Sequence, residues 1–237
     1  MENDIYNPEY VKSLFNKMSS SYERMNYITS FGFSIRWRNQ YIKKFNKTND
    51  KVYVIDLLTG MGESWSSIKK VFPNSNITAL DFSDGMLAFA DKKNSNKFNS
   101  EITLIQRDIL NSNLPENQFD YVTCAFGLKT FNEDQLRKIA EETKKILKPG
   151  GQFSFVEVSK PQNIILYKLY GLYLGKVIPI LGKLFLGNPI EYKMLWKYTL
   201  KFENAKYVAE IFKKVGLKVE YNSYFFGCAS GFSGQKV

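Results

Sequence analysis

The feature that most constrains this chain is the alternation of short, almost wholly apolar runs with segments of helical periodicity. Val52 to Leu57 is one such run; a glycine-containing loop follows it, and then Ile68, Val71 and Phe72 recur at helical spacing. The alternation continues with Asn76 to Asp81 and a helix opened by Ser83, then Ile102 to Gln106, then Phe119 to Ala125. A helical segment carrying Leu136, Ile139, Ala140, Ile146 and Leu147 on one face ends at Pro149-Gly150-Gly151, and Gln152 to Val158 is the next run. Strands that are apolar along their whole length are covered on both faces, and alternating them with helices gives a doubly wound α/β domain with a mostly parallel sheet. The 237 residues read as a single domain: a helical arm (1–46), a ligand-binding core (50–159), a basic apolar insertion (160–201) and a closing helix and strands (202–237). The arm starts at Asn7-Pro8, an N-cap followed by proline at the first helical position. Asn204 is expected to cap the closing helix, Gly216 to end it, and Leu217 to Phe226 and the tail after Gly227 to form a strand pair.

Composition then removes chemistries. The sequence contains no histidine, which excludes Ser-His-Asp and Cys-His nucleophilic machinery and histidine-ligated metals. Cys124 and Cys228 are its only cysteines, so neither a disulfide framework nor a zinc site is expected, and a reduced, cytoplasmic setting is. No run approaches the roughly 18 apolar residues of a membrane span, and the acidic start lacks the pattern of a signal peptide. The net charge of +10 is unevenly placed: residues 160–201 hold 7 basic and 1 acidic group, against 21 and 19 in residues 1–159. Its lysines lie within apolar sequence rather than on a polar face, which argues against nucleic acid and toward peripheral contact with an anionic membrane. The competing reading is a pair of amphipathic core helices with snorkelling lysines.

Ligands of doubly wound sheets bind outside the carboxyl ends of the strands. The loop Asp56-Leu57-Leu58-Thr59-Gly60-Met61-Gly62-Glu63 occupies the first of these ends. Trp65 replaces the third glycine of a dinucleotide fingerprint, so a nicotinamide cofactor is the poorer reading. Asp81 ends the second run, where a carboxylate can accept from both ribose hydroxyls, and Asp108 ends the third, where it can accept from an adenine amino group. Each aspartate has an alternative as a cap or turn former, and Met86 has one as a core residue. Taken together, the spacing suits a nucleoside without a pyrophosphate, held among acidic groups, as a cationic sulfonium cofactor requires.

These residues resemble those of class I S-adenosylmethionine-dependent methyltransferases, and within that class the menaquinone and ubiquinone biosynthesis C-methyltransferase family. The resemblance runs from Val11 almost to the end. It includes Tyr22-Glu23-Arg24-Met25-Asn26, Ser30-Phe31-Gly32, Trp37, the glycine loop, and Asp81-Phe82-Ser83-Asp84-Gly85-Met86-Leu87. It continues in Phe126-Gly127-Leu128, Leu147-Lys148-Pro149-Gly150-Gly151, Glu157-Val158-Ser159-Lys160-Pro161, Tyr170, Ile178-Pro179, Gly182, Gly227, Gly234 and Lys236. It implies a seven-stranded Rossmann-like sheet with an N-terminal arm and a helical lid. It also implies an S-adenosyl-L-methionine site at Asp56, Gly60, Met61, Gly62, Asp81, Phe82, Met86, Asp108, Ile109 and Ala125, with no metal. The acceptor it implies is a small aromatic or quinol molecule, and a homodimer is compatible with it.

For an aromatic carbon nucleophile, ionising a neighbouring hydroxyl pushes electron density onto the ring, so a base must take that proton. With histidine absent, the reading assigns the task to a water or hydroxyl positioned by Lys129, Tyr22 and Glu157; the alternative for Lys129 is a solvated loop lysine. The sequence departs from the family at Lys129-Thr130, where an Arg-Asn pair is usual, at Tyr198-Thr199-Leu200, and at Phe232, where histidine is usual. These departures support a second reading, a paralogue that methylates carbon, oxygen or nitrogen of another small acceptor in specialised metabolism. A third is a binding module that keeps only the fold.

Overall fold

The computed structural model describes residues 5–19, 30, 32–173, 177 and 189–237, with the backbone alone for 189–193. Seven strands, β1 (Tyr53–Leu57), β2 (Asn76–Asp81), β3 (Thr103–Gln106), β4 (Phe119–Ala125), β5 (Leu147–Val158), β6 (Leu217–Tyr224) and β7 (Ala229–Lys236), form one sheet in the order β3-β2-β1-β4-β5-β7-β6. The pairs from β3 to β5 are parallel; β7 runs antiparallel between β5 and β6. The described helices are α1 (Pro8–Met18), α2 (Phe33–Ile42), α3 (Trp65–Val71), α4 (Asp84–Phe98), α5 (Glu133–Ile146), α6 (Ile164–Leu172), α7 (Pro189–Phe202) and α8 (Lys206–Lys214).

Alternate side chains of a strand serve opposite faces. Ile55, Leu57, Phe153 and Phe155 join a core that includes residues of α5 and α8, while Val54 and Val156 join one that includes residues of α2, α3 and α4. Both faces are therefore covered, which is why these strands read as apolar throughout. Local chemistry agrees with the fold: Asn7 accepts from the Tyr10 amide, Ser83 from the Met86 amide, and Asn132 with Gln135 forms a full capping box. Each cap is worth about 1 kcal/mol.

Two boundaries differ from expectation. α5 ends at Ile146, and β5 already begins at Leu147, because Leu147 pairs with Phe119 ahead of a register shift that accommodates Pro149, which has no N–H to give a ladder. Asn204 does not cap α8: its side chain accepts from Lys206, two residues on, in a local turn, and Ala205 holds the cap position. Among the described residues no helix is long and apolar enough to cross a membrane.

Strand order reverses between β1 and β4, and the loops leaving β1, β2 and β4 meet at this switch point. α1 lies against α4 there. Its Asn16 side chain accepts from the Ser83 hydroxyl at 2.6 Å and the Gly85 amide at 3.1 Å, and donates to Asp84 at 3.0 Å.

Candidate active site

The loop after β1 is built from the inside. Thr59 and Thr123 hydroxyls donate to the two oxygens of Asp56 at 2.6 and 2.7 Å, and the Trp65 indole N–H donates to Thr59 at 2.8 Å. Asp56 is thus buried under the loop; burial pushes its carboxyl up to about 6, against the two hydroxyl hydrogen bonds. Trp65, which breaks the dinucleotide pattern, also explains Gly62: a Cβ there would lie 2.6 Å from the indole ring, and φ is +74°. That glycine is required by packing rather than by ligand approach. Gly127 is constrained in the same way, since a Cβ would meet Leu58 at 2.5 Å. Leu58 and Phe126 both have positive φ, 53° and 68°, so strained backbone from β1 and β4 flanks the switch point.

A cleft of about 510 Å³, including its open mouth, lies between these loops. Of the residues expected at the cofactor, Gly60, Asp81, Phe82, Met86 and Ala125 line it. Asp81 accepts from the Gly60 amide at 2.8 Å and the Ser83 amide at 2.9 Å, and retains lone pairs for a ligand. Burial pushes its carboxyl up to about 6, although these amides favour the ionised form. Met86 is both a core residue and part of the cleft wall. Asp56, Met61, Gly62, Asp108 and Ile109 do not line the cleft. Asp108 lies beyond the end of β3 and caps the turn Ile109–Asn111, accepting from Leu110 at 2.9 Å, so its capping role is the one the geometry displays.

The sequence reading passed over the charged wall. Arg38 and Glu63 line the cleft and pair at 3.4 Å, while the second oxygen of Glu63 accepts from Met61 at 3.1 Å. The guanidinium sits over the Phe126 ring, 4.7 Å from its centroid, and its buried Nε has no acceptor among the described residues. One signal was available: Arg38 shares the buried face of α2 with Ser34, Trp37 and Tyr41, at spacings of three and four residues. An arginine at a core position has a reason to be there.

Lys129 is no solvated loop lysine. It is 5% exposed and Glu157 0%, and they pair at 2.8 Å. The ammonium also donates to the Phe126 carbonyl at 2.9 Å. Glu157 Oε1 further accepts from the Val158 amide at 2.7 Å, and Oε2 from the Lys129 amide at 3.2 Å. The pair therefore fastens the turn Leu128–Thr130 to β5, with Thr130 and Phe131 on the cleft wall. Tyr22 lies outside the described residues. Phe232, at the position where the family usually has histidine, is fully buried, stacked on Phe155 at 5.2 Å and packed with Phe153 and Phe212, so it belongs to the core. Tyr198 is likewise buried, its hydroxyl donating to the Ile5 carbonyl.

The profile of the ubiE/COQ5 methyltransferase family matches residues 3–236. The chain belongs to this family. Demethylmenaquinone methyltransferase of Listeria monocytogenes serotype 4a (strain HCC23) is 31% identical over 231 residues, 96% of each chain. The enzyme of that name from Lactococcus lactis subsp. lactis (strain IL1403) is 33% identical over 220 residues, 92% of this chain and 86% of its own. In fold, the chain is similar to an S-adenosylmethionine-dependent methyltransferase of Thermotoga maritima, with a TM-score of 0.65 at 16% identity, covering 95% of this chain and 99% of the other. As a ubiE/COQ5 family member the protein is an S-adenosylmethionine-dependent methyltransferase. The cleft fits that cofactor: Asp81 has acceptor capacity for hydroxyls, and the buried Nε of Arg38, which has no acceptor among the described residues, suits a carboxylate.

Proposed function

We propose that the chain transfers a methyl group from S-adenosylmethionine to a ring carbon of a demethylated quinol. The observation that carries this reading is the near full-length similarity to demethylmenaquinone methyltransferases, together with a cleft walled by Phe15, Phe126 and Phe131, which suits an apolar ring. The bound cofactor supplies an electrophilic methyl already activated on sulfonium sulfur, so the chain's work is alignment and proton management.

Asp81 holds the ribose hydroxyls, Arg38 the methionine carboxylate, and Phe82, Met86 and Ala125 provide the apolar walls. Gly60 presents backbone to the ligand; Asp56, Met61 and Gly62 support the loop from behind, and Asp108 and Ile109 border the adenine end. Lys129 and Glu157 act as positioning residues. Every oxygen of Glu157 already accepts a hydrogen bond, so it fixes the turn beneath the acceptor, and the proton of the acceptor hydroxyl leaves through water placed beside Lys129 and Tyr22. The acceptor's isoprenoid tail lies toward the basic apolar segment 160–201, which makes peripheral contact with the cytoplasmic membrane face.

The test is transfer of labelled methyl to a demethylated naphthoquinol, a demethylated benzoquinol and tail-less phenols. Preference for a prenylated quinol is the expected result; faster transfer to a phenol would assign the chain to the second reading, another small acceptor. That reading is favoured by Lys129-Thr130, where a point charge replaces a planar fork.

A further inference from the structure

α6 carries mostly apolar residues, yet none of them is buried. Ile164 is 62% exposed and Ile165 68%, and Leu169 and Leu172 are also open to solvent. A second apolar element lies beside its start. In the turn between β6 and β7, Phe225 and Phe226 both take positive φ, 41° and 54°, which bulky residues avoid, and the turn leaves Phe226 79% exposed. A Cβ on the next residue, Gly227, would stand 3.7 Å from Pro161 and Gln162, so this turn and the lead into α6 share one surface. Phe33 at the start of α2 joins it, its ring 4.4 Å from that of Phe225.

Positive charge borders this face. Arg36 lies over Phe33 and Lys160 over Tyr167, at 5.7 and 5.2 Å, and Lys168 is exposed on α6. Glu203, paired with Lys160 at 3.7 Å, is an acidic neighbour. A row of ring contacts also leads inward: Phe226 to Phe225 at 5.5 Å, Phe225 to Phe33 at 4.4 Å, Phe33 to Trp37 at 5.6 Å and Trp37 to Phe126 at 6.3 Å. Phe126 lines the cleft, and the buried indole N–H of Trp37 has no acceptor among the described residues.

We propose that Phe226, Ile164, Ile165 and Leu169, bordered by Arg36, Lys160 and Lys168, form a face that docks on the anionic surface of a lipid bilayer. The packed row joins this face to the cleft wall at Phe126; that an apolar-tailed acceptor is taken up from the bilayer at this face is a part of the inference that rests on the quinol reading. Separate apolar tips with basic side chains at their edge match headgroups above and acyl chains below. A second copy docked about a two-fold axis would instead bring like charges of the same face together.

The experiment is co-sedimentation of the full chain with vesicles of phosphatidylcholine alone or with added phosphatidylglycerol. Wild type binds only the anionic vesicles, and less so as salt rises. The variant Phe226→Asn/Ile165→Gln, with asparagine chosen because it tolerates positive φ, loses roughly tenfold in partitioning. Its affinity for S-adenosylhomocysteine and its transfer rate to a tail-less, water-soluble acceptor stay at wild-type level. Binding indifferent to phosphatidylglycerol, or unchanged in the variant, overturns the proposal; so does a wild-type dimer in sedimentation that the variant dissociates. If the variant loses vesicles while no quinol is methylated by wild type, the docking face stands and the acceptor reading falls.

Discussion

In the proposed cofactor site, Arg38 and Asp81 divide the ligand between them by charge. Arg38 is held by Glu63 on one side and the Phe126 face on another, which leaves Nε for a ligand. Arg38→Met is expected to weaken S-adenosylhomocysteine binding by about 10- to 100-fold, the worth of a hydrogen bond between charged groups, and to leave methylthioadenosine, which lacks the carboxylate, unaffected. Calorimetry with both ligands checks this, and equal losses for the two would remove Arg38 from the carboxylate. For Asp81, the folded-state value of about 6 lies above the ordinary 3.8, so folding disfavours its ionised form. In the free protein, stability from this group is greatest below about pH 4 and declines as pH rises through about 6. Binding runs the other way, because ribose hydroxyls need the ionised acceptor. S-adenosylhomocysteine affinity should therefore fall as pH drops from 7.5 to 5.5, by roughly threefold or more, and Asp81→Asn should be weak and flat over that range.

The turn Leu128–Thr130 shows how an element is placed by a pair the sequence spreads over 28 residues. A buried ion pair is costly to break from one side, because the remaining charge has no partner. Lys129→Met is expected to destabilise the protein by about 3–5 kcal/mol, and Lys129→Met/Glu157→Leu to recover most of that loss. Denaturant unfolding of the three proteins measures it. A positioning role also predicts that the double variant keeps cofactor affinity while kcat falls; a single variant as stable as wild type would show the pair to be unimportant.

At the scale of the molecule, α1 closes one side of the cleft, with Phe15 on its wall and Asn16 joined to the start of α4. Asn16→Ala removes three hydrogen bonds at that seam. Hydrogen exchange of α1 is expected to accelerate about tenfold without change in β1 or β4; unaltered α1 exchange would show the arm to be held by apolar packing alone.

The sequence by itself determined the doubly wound sheet, because strands buried on both faces cannot hide their composition, and caps such as Asn7, Ser83 and Asn132 act within one turn of chain. It also determined that Asp81, Phe82 and Met86 stand at one strand end, since that follows from local order along the chain. Arg38 with Glu63, Lys129 with Glu157, and the row from Phe226 to Phe126 were not legible, because each joins segments that meet only after the sheet has formed. Phe232 is the counterpart: read along the chain it stood for a missing histidine, and only its register opposite Phe155 placed it in the core. Short-range hydrogen bonds and periodicity are written in sequence; which charges and rings share a cavity is decided by the three-dimensional packing of strands and helices.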